Sequence, residues 1–138
     1  MSQRRILVVE DDPLSARLVC DLLESQGHQA EIAGSVEEAT SQLAAARPAL
    51  VLLDVQIPGG GGEIVLRQIR DDPALAALPV VAVTALAMTG DRERLLALGF
   101  DAYVSKPIAI KTFVTVVDQL LRGERVTRSG SSGGLPGA

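Results

Sequence analysis

Three stretches of the chain run apolar without a break and then stop on an oxygen-bearing side chain. Ile6-Leu7-Val8-Val9 stops at Glu10-Asp11-Asp12, Leu50-Val51-Leu52-Leu53 at Asp54, and Val80-Val81-Ala82-Val83 at Thr84. Unbroken β-branched and leucine runs suit strands covered on both faces, as in a parallel sheet between helix layers. Shorter strands are predicted over 29–33 and 102–105. Between the strands the hydrophobic period lengthens to that of helices. Asp12 before Pro13 has the form of an N-cap with a first-turn proline. It opens a helix predicted to carry Leu14, Leu18, Leu22 and Leu23 on one stripe and to stop at Gly27. Ser35 and Glu38 make a capping box for a helix to about Ala46, broken by Arg47-Pro48. Further helices are predicted from about Gly62 to Arg70, from Ala87 to about Leu98 with Gly99 as C-cap, and from about Ile110 to Arg122.

Five strands alternating with five helices over short connections imply right-handed crossovers and an α/β fold. The expected architecture is a flavodoxin-like, doubly wound, five-stranded parallel sheet in the order 2-1-3-4-5. A length of 138 residues suits one domain and not two; that domain is expected over 1–122. Residues 123–138, with Ser129-Gly130-Ser131-Ser132-Gly133-Gly134, have the composition of a flexible tail or linker. An apolar fraction of 47% supports a full core. Phe100, Tyr103 and Phe113 are the only aromatics, which leaves no stacking platform for single-stranded nucleic acid. A formal charge of −4 argues against nucleic-acid binding through the phosphate backbone. Cys20 is alone, so neither an internal disulfide nor a thiolate metal cage is possible, and it is expected to be a small core side chain. Neither a signal-peptide pattern nor a membrane-length apolar run is found, so no membrane partner is expected and the cytoplasm is the expected compartment.

Candidate chemistry sits where the runs stop. In the predicted order the first, third, fourth and fifth strands are neighbours. Glu10, Asp11, Asp54, Thr84 and Lys106 then converge on one crevice at their carboxyl ends, the edge where open α/β sheets place ligands. Three carboxylates held together repel one another and require a cation. Mg²⁺ suits such a site, since it takes oxygen ligands from a few carboxylates, waters and a phosphate. A carboxylate can attack phosphorus to give an aspartyl phosphate, while a metal and an ammonium neutralise charge on the transferring oxygens. Asp54, Lys106 and the Thr84 hydroxyl fill the roles of nucleophile, counter-ion and phosphoryl hydrogen-bond donor. Taken singly, each has a plainer reading: acids at a helix start balance its dipole, threonine often ends a strand, and Lys-Pro often makes a turn. Their conjunction at four strand ends points to phosphoryl chemistry.

The motifs Ile6-Leu7-Val8-Val9-Glu10-Asp11, Leu53-Asp54-Val55-Gln56-Ile57-Pro58, Val83-Thr84-Ala85 and Tyr103-Val104-Ser105-Lys106-Pro107 resemble the receiver domain of bacterial two-component response regulators, over about Arg5 to Leu121. The resemblance implies that Asp54 is the phosphoacceptor, fed by a sensor histidine kinase or a histidine phosphotransfer protein. It implies Mg²⁺ held by Asp11, Asp54 and the backbone carbonyl of Gln56, with Glu10 acting through water. Thr84 and Tyr103 would be the switch pair, Lys106 the phosphate partner, and the bond before Pro107 cis. Gln56 and Leu86 would tune the loss of phosphate, which should be slow because Leu86 cannot orient a water. Output would be contact with a downstream protein by a monomer or weak homodimer, not turnover of a substrate. Within the family, Pro79 to Met88 with Gly90-Asp91 is similar to single-domain regulators of the DivK type, and receivers of hybrid kinases share much of it.

Gly59-Gly60-Gly61-Gly62 departs from the Asp-Gly usual in the family. Because glycine loses much backbone entropy on folding, a mobile loop is expected beside the site. The competing readings are a phosphorylation-independent pseudo-receiver and a haloacid dehalogenase-type phosphatase, which needs a second Asp where this chain has Gln56. A flavin-binding flavodoxin is disfavoured by the acidic turn after the first strand. His28, the only histidine, is expected at the surface, away from the crevice.

Overall fold

Strands β1 (Arg5–Val9), β2 (Gln29–Ala33), β3 (Leu50–Asp54), β4 (Val80–Thr84) and β5 (Ala102–Ser105) alternate with helices α1 (Pro13–Ser25), α2 (Val36–Ala45), α3 (Gly61–Asp71), α4 (Asp91–Leu98) and α5 (Ile110–Leu121). The computed structural model describes residues 4–57, 60–85 and 91–123, without the side chains of Asp91 and Arg92. Leu86, Gly59, the expected helix start at Ala87 and the tail past Gly123 lie outside the described residues. The sheet runs β2-β1-β3-β4-β5 with every pair parallel, the flavodoxin-like order that the apolar runs imply.

Every residue of β3 and β4 is buried. Successive strand residues point to opposite faces, so the sheet feeds two cores. Leu7, Val9, Val51, Leu53 and Val80 pack with Leu43 of α2, Val65 and Ile69 of α3 and Leu95 of α4. Ile6, Val8, Leu50, Leu52 and Val81 pack with Val19 and Leu23 of α1 and Phe113 and Val116 of α5. Among the described residues, no helix is long and apolar enough to cross a membrane.

The predicted caps form. Asp12 accepts bonds from the Ser15 hydroxyl (2.8 Å) and amide (3.1 Å), which hold its carboxyl below the usual carboxylate range. Ser35 accepts the Glu38 amide at 3.1 Å, while the Glu38 carboxylate reaches back to the Gly34 amide (2.7 Å) instead of that of Ser35. The predicted stripe on α1 holds at Leu22 and Leu23, which pack against the core, and is corrected at Leu14 and Leu18. The helix buries Ala16, Val19, Cys20 and Leu23, and leaves Leu14 78% and Leu18 54% exposed. Small side chains at 16 and 20 let the helix approach the sheet closely, so they, not the leucine spacing, choose the inward face. Cys20 is buried as expected, and burial pushes its thiol pKa up. His28 lies in the turn before β2, at the far end of the sheet from the crevice, but is half-buried and not a plain surface residue.

One arginine ties the remote end of the sheet. The Arg70 guanidinium, at the end of α3, donates to the carbonyls of Gly99 (2.7 and 3.0 Å), Leu78 (2.7 Å) and Ala76 (3.0 Å). It also pairs with Asp101 at 2.9 Å, whose carboxylate accepts the Val80 amide at 2.8 Å.

Candidate functional site

At the carboxyl edge the backbone pairing continues one residue beyond β1, β3 and β5. Glu10 N–H donates to Ala33 C=O (2.9 Å), Val55 N–H to Val83 C=O (3.1 Å), and Lys106 N–H to Thr84 C=O (2.8 Å). Side chains at these ends are therefore placed by the sheet itself. Asp54 is 4% exposed, Glu10 5% and Thr84 0%. Asp54 Oδ1 accepts the Gln56 amide at 2.9 Å, while Oδ2 faces Lys106 Nζ at 3.5 Å. Lys106 Nζ also pairs with Glu10 Oε1 at 3.0 Å, and Glu10 Oε2 accepts the Asp12 amide at 3.2 Å. Asp11 is exposed at the rim. One carboxylate oxygen from each of Glu10, Asp11 and Asp54 lies within 4.8 Å of the others.

Burial pushes the Glu10 carboxyl above its ordinary range, and the hydrogen bond with Asp54 adds to this while Lys106 opposes it. For Lys106, burial acts to lower the pKa, but the bond to Glu10 and the Asp54 charge outweigh it and hold the ammonium above its ordinary value. One ammonium thus pairs with two of the three clustered carboxylates, leaving a surplus of negative charge that a divalent cation would relieve. The donor set is all oxygen. Ligands of an octahedral ion at about 2.1 Å stand roughly 3–4 Å apart, so the cluster fits Mg²⁺ after small side-chain adjustments.

The glycine run behind Asp54 leads into helix α3. Gly60 caps α3 with φ +72°, a left-handed backbone that favours glycine. Gly61 and Gly62 form the buried first turn. A Cβ at Gly62 would stand 2.8–2.9 Å from Val55 Cα and from the carbonyl oxygens of Asp54 and Val55. At Gly61 it would stand 2.8 Å from the Cγ2 atoms of Ile57 and Val36. The expected loop is therefore corrected at Gly61 and Gly62, which belong to helix α3 and are seats for close contact.

The structure brings Glu10, Asp11, Asp54, Thr84 and Lys106 to one edge, with Gln56 on the turn after β3 and a cis Lys106-Pro107 bond. Tyr103 is half-buried on β5 against the core that faces α2, α3 and α4. Two features had no signature in the sequence. The Asp12 amide supports Glu10, and the Gln56 side-chain carbonyl accepts the Ala85 amide at 3.3 Å. A backbone N–H belongs to nearly every residue, so only geometry distinguishes these.

Residues 6–118 match the response regulator receiver domain family. The polar-differentiation response regulator DivK of Brucella anthropi is 37% identical over 118 residues, which cover 86% of this chain and 96% of that protein. Among solved structures, the signal receiver domain of a signal transduction histidine kinase from Syntrophus aciditrophicus is 34% identical with a TM-score of 0.79, covering 93% of this chain and 96% of its own. A CheY-like response regulator receiver domain protein from Methanospirillum hungatei JF-1 is 25% identical with a TM-score of 0.78, covering 88% and 96%.

Proposed function

Since the chain belongs to the response regulator receiver domain family, a family of two-component signalling domains, we propose that it accepts a phosphoryl group on Asp54 and signals by changing conformation. The observation that carries this reading is the Asp54 carboxylate itself: buried at a strand end, with Oδ1 fixed by the Gln56 amide and Oδ2 turned toward Lys106. A free oxygen lone pair of Asp54 attacks the phosphorus of a phosphohistidine on a sensor kinase or phosphotransfer protein. The new O–P bond forms as the P–N bond breaks and its electron pair returns to the donor's imidazole. Asp11, Asp54 and the Gln56 carbonyl would hold Mg²⁺, with Glu10 acting through water, and the ion when bound would neutralise charge on the transferring oxygens.

Lys106 exchanges part of its pairing with Asp54 for a phosphoryl oxygen, and the Thr84 hydroxyl donates to another. Phosphorylation adds roughly −1.5 to −2 charges at one point. Movement of Thr84 toward that charge makes room for Tyr103, and a downstream protein reads the altered face. The chain acts in the cytoplasm as a phosphoprotein, monomeric or weakly dimeric, and Leu86 in place of a water-orienting group leaves the phosphate long-lived. Leu14 and Leu18 stand exposed on the first turns of α1, directly after the acidic turn, and Ile110 is 59% exposed at the start of α5 just past Lys106. A donor that delivers its histidine to Asp54 rests on this apolar rim.

Incubation with Mg²⁺ and acetyl phosphate tests the reading by mass spectrometry. The wild type gains one phosphoryl mass and Asp54→Ala gains none. An unchanged gain in Asp54→Ala would move the acceptor elsewhere.

A further inference from the structure

We propose that two copies of this chain pair through the outer edge of β2, antiparallel about a two-fold axis at Ala30. β2 is an edge strand, with β1 on one side and no strand of the sheet on the other. Its odd-numbered residues face β1. The Gln29 amide donates to the Arg4 carbonyl at 2.9 Å, and the Ala33 carbonyl accepts the Glu10 amide at 2.9 Å. Backbone groups alternate in direction along a strand, so those of His28, Ala30 and Ile32 point outward. An outward row of this kind is a template for pairing with another chain.

Which groups of that row are open decides what fits it. The Ile32 carbonyl is taken by the side-chain amide of Gln42, which reaches over from α2 at 3.0 Å, and the His28 N–H by the Leu23 carbonyl at 3.1 Å. The Ala30 N–H and C=O, the Ile32 N–H and the His28 C=O have no partner among the described residues. In an antiparallel pairing centred on Ala30, the two Ala30 residues exchange both of their bonds, and the Ile32 N–H of each copy donates to the His28 C=O of the other. The bond that this register leaves unmade, His28 N–H to Ile32 C=O, joins the two groups already satisfied within each copy. The open edge is thus complementary to itself, which makes its occupant a second copy of this chain. The side chains agree. Glu31 stands opposite Gln29 of the second copy and not opposite its own equivalent, so the two acids do not meet. Arg5 holds Glu31 at 3.1 Å with 45% of the acid side chain exposed, and Ile32, 43% exposed, gains cover. Two short strands make a small contact, so the dimer is weak. Asp54, on β3, lies two strands away from this edge.

Sedimentation equilibrium of the full chain at concentrations up to about 1 mM, with amide hydrogen exchange by NMR over the same range, tests the pairing. The wild type should pass from monomer to dimer, and exchange at Ala30 and Ile32 should slow together as concentration rises. Exchange at Glu31, whose N–H faces β1, should stay constant. Gln29→Lys sets a cation opposite Glu31 at two places in the dimer and should tighten it about fivefold, while Gln29→Glu should loosen it by a similar factor. Ala30→Pro removes an outward N–H without touching the ladder to β1 and should abolish the dimer. Gln29 is exposed, so its charge series decides the matter even where Ala30→Pro unfolds the chain. A wild type that stays monomeric throughout, or a dimer indifferent to the charge at position 29, would overturn the pairing.

Discussion

Lys106 serves two buried carboxylates at once, at 3.0 Å from Glu10 and 3.5 Å from Asp54. Lys106→Met leaves those acids facing each other, so the metal-free protein should melt lower. Mg²⁺ should recover more stability in this variant than in the wild type, since a ligand at a hundred times its Kd contributes about 2.7 kcal/mol by mass action. Thermal melts with and without Mg²⁺ check this, and an equal Mg²⁺ shift in Asp11→Asn would remove the cation from this cluster. The two glycines of α3 separate by what they touch. Gly62 meets backbone atoms of Asp54 and Val55, which cannot step aside, while Gly61 meets side-chain methyl groups. Gly62→Ala should therefore cost about 1–3 kcal/mol in urea unfolding and slow phosphorylation by acetyl phosphate, with Gly61→Ala milder on both counts. The positions of Glu10, Asp54 and Thr84 were legible in the sequence because a polar group ending a buried run is conspicuous, and that of Lys106 because it follows a short predicted strand before a proline. The closeness of Gly62 to Asp54 was not, since the same four glycines also describe a slack loop.

At the level of elements, the boundaries follow local chemistry that a single sequence displays: Asp12 and Ser35 cap their helices, and every unbroken apolar run becomes a central strand. The face of α1 was not displayed. Leucines at 14 and 18 share helical spacing with the core-packed Leu22, yet the sheet buries the row of Ala16, Val19, Cys20 and Leu23 instead. Which of two rows turns inward depends on the distance between helix and sheet, a tertiary quantity. The difference is measurable. Leu23→Ala should cost about 2–5 kcal/mol, as expected for a buried leucine. Leu14→Glu and Leu18→Glu should stay within about 0.5 kcal/mol of the wild type in urea unfolding. The same two changes should slow phosphoryl transfer from a protein donor and leave the reaction with acetyl phosphate unaltered. Equal slowing with both donors would place the effect in Asp54 chemistry and not in docking.

For the molecule as a whole, the strand order was legible because four chemically matched groups at strand ends make sense only if those strands are neighbours. The tie at the opposite edge was hidden, because Arg70 works through carbonyls that any residue supplies. Arg70→Met should lose about 1–3 kcal/mol, the cost of leaving bonds to a charged group unmade, while phosphorylation of Asp54 persists; a variant as stable as the wild type would show the tie to be incidental. The two cores divide the surface in a further way. The apolar rim of α1 and α5 belongs to one side of the sheet, and Tyr103, with α4, to the other. Under the proposed reading, a sender resting on the first side and a listener on the second would not contend for ground. Under that reading both would be held at once, and a message would pass within a standing assembly of three proteins, without the messenger having to leave one companion before it finds the next.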